Sequence, residues 1–76
     1  MSGELIKMKM TSAGATKRAS IRPGMHVSIV MKTDQMSGKM TDGVVKDILT
    51  NSAVHTHGIK VRLEGGQIGR VKEIEV

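Results

Sequence analysis

The chain has no cysteine and no Phe, Tyr or Trp among its 76 residues. The absence of cysteine excludes disulfides, thiolate metal sites and cysteine nucleophiles, and it is typical of a reducing compartment, so we expect a cytoplasmic location. A core without aromatic rings must be built from aliphatic side chains, with seven Met residues available to fill irregular gaps. We therefore expect no deep cofactor cavity and no bound cofactor.

Long hydrophobic runs are also absent. No stretch approaches the roughly 20 apolar residues that span a bilayer, and the N-terminal residues lack the apolar centre of a signal peptide. A chain of this length forms one domain at most and buries only about 60% of its unfolded surface. We expect a single small monomeric domain with no membrane partner.

Positive charge exceeds negative charge, with 12 basic and 7 acidic residues and a formal net charge of +5. Residues 1–20 hold four basic residues and one acidic residue, whereas residues 21–76 hold eight and six. More than half of the excess therefore lies in the N-terminal quarter. This field favours polyanionic partners such as RNA, DNA or an acidic protein surface, although basic proteins also use such charge for solubility alone.

Two regions differ in their residue pattern. Residues 11–20 are small, polar and aperiodic, and we predict that residues 1–20 form a flexible basic arm. Within it, the segment Leu5 to Met10 fits a short strand or a helical turn equally well. A turn signal follows at Pro23-Gly24, because Pro presets φ at the second turn position and Gly supplies a positive φ at the third. We expect the ordered domain to occupy residues 21–76.

Four segments of this domain are predicted as strands. Apolar residues alternate with other residues from Met25 to Met31 and again from Ile59 to Leu63, a period of two. The segment 43–49 has apolar pairs on both sides of a charged pair, which fits a bulged strand better than the competing helix because it is rich in β-branched residues. Gly65-Gly66 predicts a hairpin into a last strand, where Ile68, Val71 and Ile74 recur every third residue and indicate a bulge or a 3₁₀ turn.

Four or five short strands predict an all-β fold, a small and partly closed SH3-like barrel. An open sheet of this size would expose hydrogen-bonding edges, and curling into a barrel removes them. An oligonucleotide-binding fold is the rival, but it normally uses longer strands.

Several motifs in fixed order resemble one family. They are GVVKDILTNS at 43–52, HTHGIKVRL at 55–63 and GQIGRV at 66–71, with Pro23-Gly24 and DQxxGK at 34–39 upstream. Together they are similar to the YwbE-like family of small uncharacterised microbial proteins over residues 21–75. The turn, strand and Gly-x-Val-x-x-Ile at 43–48 are more weakly similar to KOW-type SH3-like modules, and that similarity implies RNA contact by analogy.

His55 and His57 are the first candidates for chemistry. Imidazoles two residues apart on an extended segment point the same way and can share a metal ion. A third ligand, from His26 or Asp47, would require a tertiary coincidence. Histidines that hydrogen-bond the loop backbone are the simpler interpretation, so we predict no metal site. A third possible role for these histidines is contact with a phosphate or a base.

Basic residues form the second candidate site. Lys60 and Arg62 share one strand face, and the hairpin at Gly65-Gly66 would bring Arg70 beside them. Such a patch can bind phosphates, or it can be a solvated face paired with Glu64 and Glu73. Adding two nearby residues, we predict a nucleic-acid contact surface formed by Lys46, His57, Lys60, Arg62 and Arg70.

Catalysis has little support in the sequence. Gly65, Gly66 and Gly69 do not make a phosphate loop, since no GxxxxGK[ST] pattern or helix start accompanies them. The aspartates show no paired spacing that suggests a cleft. We predict a non-enzymatic module for structured or ribosomal RNA, to which the arm adds non-specific affinity. The alternative is a protein-interaction adaptor that binds a partner peptide at a strand edge or in a loop groove.

Overall fold

The structure is a computed structural model that describes residues 10–75. Its five strands are β1 (Met10–Thr11), β2 (His26–Met31), β3 (Thr41–Ile48), β4 (Lys60–Leu63) and β5 (Ile68–Glu75). Two short 3₁₀ turns, Arg18–Ser20 and Lys32–Asp34, are the helical elements of the described chain. None of the described helices is long and apolar enough to cross a membrane.

The strands close into a small barrel. The sheet runs in the order β1-β5-β2-β3-β4, and β4 also pairs with β5. All of these pairings are antiparallel. Strands β2 to β5 therefore form a closed four-stranded ring, and β1 is added outside it on β5. This arrangement confirms the all-β, SH3-like prediction.

Two bulges give this short ring its curvature. In β3, Val45 pairs with Leu63 and Asp47 with Arg62, so Lys46 is the extra residue. In β5, the pairing with β2 leaves out Lys72 in the same way. Bulges increase local twist and bend, which allows so few strands to close. Broken alternation predicted the bulge in β3, and in β5 it predicted either a bulge or a 3₁₀ turn. Ile68, which the same pattern grouped with Val71 and Ile74, is however 39% exposed.

The Pro-Gly turn ties the start of β2 to β3. Gly24 has φ +95°, and the Met25 amide donates to the Arg22 carbonyl at 3.2 Å, as the turn signal predicted. The Gly24 amide also donates to the Val45 carbonyl at 2.8 Å. The turn therefore fixes where β2 enters the barrel.

The core is aliphatic. Its fully buried large side chains come from Val, Ile and Leu, and they are Ile21, Val27, Ile29, Val45, Ile59, Val61, Leu63 and Val71. Met25 and Met31 pack against this cluster from its edge, while Met36 and Met40 are exposed. Among the described residues, methionine therefore borders the core rather than filling it. Branched side chains have fewer rotamers to lose on burial and suit so small an interior.

The ordered domain begins earlier than residue 21. Ala15 is buried in the core, and its carbonyl accepts a hydrogen bond from the Ile59 amide at 3.0 Å. Arg18 donates through its amide to the Ala53 carbonyl at 2.9 Å and through Nε to the Thr50 carbonyl at 3.0 Å. The predicted boundary was wrong for residues 10–20, because backbone hydrogen bonds leave little trace in composition. The remainder of the predicted arm, residues 1–9, lies outside the described residues.

Gly58 and Gly66 make a matched pair for a stability test. Both have positive φ, +101° and +95°, but a Cβ on Gly58 would overlap the Val71 carbonyl oxygen whereas one on Gly66 would meet open space. We expect Gly66→Ala to lower the free energy of unfolding by about 1–2 kcal/mol, the cost of a left-handed residue. Gly58→Ala should lower it by about 3 kcal/mol or more, since the backbone must also move.

The measurement is urea unfolding followed by far-UV circular dichroism, because the chain has no Trp or Tyr to report by fluorescence. Equal losses in the two variants would contradict the close approach of Gly58 to β5.

Candidate nucleic-acid interface

Lys60 and Arg70 lie side by side on the outer face of the barrel. Their Cα atoms are register partners across β4 and β5, and Arg70 is in turn the register partner of Val30 on β2. Directly paired residues of antiparallel strands point to the same face of a sheet. The hairpin prediction that placed Arg70 beside Lys60 is therefore confirmed.

Two adjoining cavities of about 400 Å³ each flank Arg70. They share Val30, Gln35 and Arg70 as lining residues. The first cavity is completed by Gly38, His57 and Lys72, and the second by Lys32, Lys60, Ile68 and Gly69. We call the two cavities with these lining residues the basic groove. The segment between β2 and β3 supplies Gln35 and Gly38, and so forms the wall opposite β5.

The charge of the basic groove has one sign. Its described lining holds four permanent cations, Lys32, Lys60, Arg70 and Lys72, and includes no Asp or Glu. Side chains of like charge around one concave surface reinforce each other's potential and concentrate anions there.

Backbone carbonyls of the loop before β4 hold two of these cations. Arg70 donates from Nη1 to the Gly58 carbonyl at 3.2 Å, and Lys72 donates from Nζ to the His57 carbonyl at 3.2 Å. The Arg70 bond uses one of five guanidinium N–H groups. The side chain is therefore positioned while most of its donors stay free to meet a ligand.

The two loop histidines are joined by a local hydrogen bond. The His57 amide donates to Nδ1 of His55 at 3.2 Å, which is the backbone hydrogen bond predicted as the simpler interpretation. Their rings lie 5.8 Å apart between centroids. Within residues 10–75, no cluster of three or more His, Cys, Asp or Glu side chains could hold a metal ion.

The lowered pKa of His55 agrees with its role as the acceptor of this hydrogen bond. Partial desolvation, together with the positive charge of Arg70 and the neighbouring His57, lowers the pKa of His55 below its ordinary value of 6.5. A neutral imidazole leaves Nδ1 free to accept the His57 amide.

Arg62 borders the basic groove as the register partner of Ile68 but does not line it, and Lys46 lies outside it. Arg62 Nη1 lies 3.0 Å from Asp47 Oδ2, with both side chains nearly half exposed. The expected partners were Glu64 and Glu73, but the β3 bulge makes Asp47 the register partner of Arg62. Lys46 is the exposed bulge residue itself. Neither residue lines the groove.

Three polar or charged groove residues were not among the predicted contacts. Lys32 follows β2 immediately, Gln35 belongs to a segment interpreted as a mobile connecting loop, and Lys72 occupies the β5 bulge. Alternation alone could not give the direction of Lys72, since the three-residue spacing of that strand left its face undefined. Lys32 directly follows the predicted strand that ends at Met31, and this position could have drawn attention to it.

The influence of Arg70 on His55 can be tested by titration. We expect Arg70→Gln to raise the pKa of His55, because the substitution removes a nearby positive charge that disfavours the imidazolium. Desolvation and His57 remain, so the pKa should stay below 6.5. The measurement is the NMR chemical shift of the His55 ring protons against pH, with Arg62→Gln as the control of equal charge. A pKa that is unchanged, or that moves equally in both variants, would contradict the placement of Arg70.

Comparisons with known proteins place the chain in one group. The model of the family described as uncharacterized conserved protein (DUF2196) matches residues 14–74. The uncharacterized protein YwbE of Bacillus subtilis (strain 168) is 60% identical over 58 residues, which cover 76% of this chain and 89% of that protein. No solved structure matches the chain significantly.

The matched range begins within the segment that packs on the barrel and ends in β5, so it contains all ten lining residues of the basic groove. The similarity to KOW-type modules stays a prediction. The family resemblance drawn from the motifs is confirmed, and the chain belongs to the DUF2196 family of YwbE-like proteins.

Proposed function

We propose that this protein is a non-enzymatic RNA-binding module that contacts phosphates through the basic groove. The observation that carries the proposal is the convergence of four cations around two adjoining cavities whose described lining includes no carboxylate. Phosphate contacts dominate the affinity of most nucleic-acid binders, and they need positive charge more than any particular sequence motif.

The arginine and lysine side chains of the basic groove are well suited to contact phosphate groups. Arg70 offers a planar fork of N–H donors that can contact two phosphate oxygens at once, and it is already positioned by Gly58. Lys32 and Lys60 lie on one side of Arg70, and Lys72 lies on the other. A polyanion that crosses Arg70 would meet positive charge in both cavities.

The adaptor alternative has weaker support. Each of the four barrel strands has a neighbour on both sides over part of its length, which leaves a partner peptide only short free edges, such as residues 41–43 of β3. The exposed large apolar residues of the described chain include Met36, Met40, Val54 and Ile68, which come from three separate segments. Isolated exposed apolar residues are ordinary on a monomer surface.

Salt dependence is the first test. The logarithm of RNA affinity should fall linearly with the logarithm of salt concentration, with a total slope of about 3 to 4 if the four groove cations each contact a phosphate. Fluorescence anisotropy of an end-labelled RNA measures this directly, because the protein has no intrinsic fluorophore. Absence of detectable RNA or DNA binding at low salt would end the proposal.

Charge neutralisation locates the surface. We expect Lys60→Gln and Arg70→Gln each to reduce the slope by about 1 and to weaken binding at fixed salt. Lys46→Gln and Arg62→Gln remove the same charge outside the groove and should change the slope by less than half as much. Equal effects of all four variants would show that net charge, rather than the basic groove, governs binding.

A further inference from the structure

The basic groove is concave, and its dimensions restrict what can enter. Each cavity has a volume of about 400 Å³, within the range of pockets that enclose a small organic ligand. An A-form duplex is a broad, stiff surface that proteins contact across its shallow minor groove. Such a surface would rest on the rims of the cavities, whereas one unpaired nucleotide can enter each of them.

The lining combines charge with apolar surface. Val30 lies at the floor with 8% exposure, and Ile68 borders one cavity with 39% exposure. Met36, fully exposed, belongs to the segment that forms the opposite wall. Unpaired nucleotides present both phosphates and base faces, while a duplex hides its base faces by stacking. Apolar contacts within a cationic groove therefore favour the unpaired form.

The two cavities follow one another along β5. Ile68, Arg70 and Lys72 occupy alternating positions of the strand, and at about 3.3 Å per residue the first and last lie about 13 Å apart. Arg70 stands between the cavities and lines both. Its guanidinium plane can contact a phosphate or stack on a base, which partly replaces the missing aromatic rings.

From these observations we infer that the basic groove binds a single-stranded polynucleotide segment of about two or three nucleotides that runs along β5 across Arg70. This inference rests on the proposed function and narrows it, since the sequence alone favoured structured RNA. Nucleotides on either side of Arg70 occupy the two cavities, with Ile68 against a base.

The test compares single-stranded RNA, single-stranded DNA and duplex RNA by competition against a labelled single-stranded RNA at about 0.15 M salt. The competitors are oligouridines of one to six nucleotides, the matching deoxyuridine oligomers, and a blunt G·C-rich RNA duplex that is long enough to stay paired and whose affinity is compared per phosphate. Affinity should rise steeply up to about three nucleotides and only slowly afterwards, and the duplex should bind about tenfold more weakly.

A matched pair of apolar variants tests the base contact. Ile68→Ala should weaken single-strand binding by about threefold to tenfold without changing the salt slope, since an aliphatic contact contributes less than aromatic stacking. Val54→Ala removes similar exposed apolar surface that lines no part of the groove and should leave affinity unchanged. Circular dichroism of both variants verifies that the fold is retained.

A duplex that binds as tightly as the single strand overturns the inference while the proposed function stands, and so does an Ile68→Ala variant with unchanged affinity. Failure of every competitor to bind overturns both. Equal binding of the deoxyuridine oligomers supports the single-strand inference and removes the ribose hydroxyl from recognition.

Discussion

Strand β5 is the element on which both the barrel and the basic groove depend. It hydrogen-bonds to β1, β2 and β4, and its pairing with β4 closes the ring. Closing a ring of only four strands requires strong local curvature, which β5 supplies through its bulge at Lys72. The same strand carries Val71 and Ile74 inward and presents Ile68, Arg70 and Lys72 to the groove. The register of β5 with its neighbouring strands therefore determines both the core packing and the side chains that face the groove.

The strand register also explains why some basic residues of the barrel have an acidic partner and others do not. Pairing of Lys60 with Arg70 places two positive charges directly opposite each other, an arrangement that is unfavourable for the sheet by itself. The Gly58 carbonyl compensates part of this cost by accepting a hydrogen bond from Arg70. Arg62, two residues beyond Lys60 on the same face of β4, has an acidic partner in Asp47. Cations that have no carboxylate partner among residues 10–75 are the feature that distinguishes the groove from an ordinary solvated face.

Much of the barrel could be predicted because its signals are local. The strand around Val27 and Ile29, the turn at Pro23-Gly24 and the broken alternation on both sides of Lys46 each reflect short-range geometry, and all were found in the structure. The half-buried character predicted for that strand was wrong, because Ser28 and Val30 on its other face are also buried. The packing of residues 10–20 could not be predicted in the same way. It depends on backbone hydrogen bonds such as that from Ile59 to Ala15, which any small residue can accept.

The candidate site was predictable to the extent that it lies on paired strands. Lys60 and Arg70 followed from the hairpin, and His57 from its position in the preceding loop. The separation of Arg62 from them depends on which residue of β3 is bulged, and the inclusion of Lys32 and Gln35 depends on how the segment after β2 folds back over Val30. Both are tertiary facts that a period of two does not contain.

We propose that nucleic acid binds at the outer face of β5. The most direct test maps amide chemical shifts of isotope-labelled protein during titration with a short single-stranded RNA. We expect the largest shifts on residues 68–72, on Lys60 and on the 32–38 wall, with little change around Lys46. Largest shifts around Lys46 and Asp47, or no shifts at saturating RNA and low salt, would contradict it.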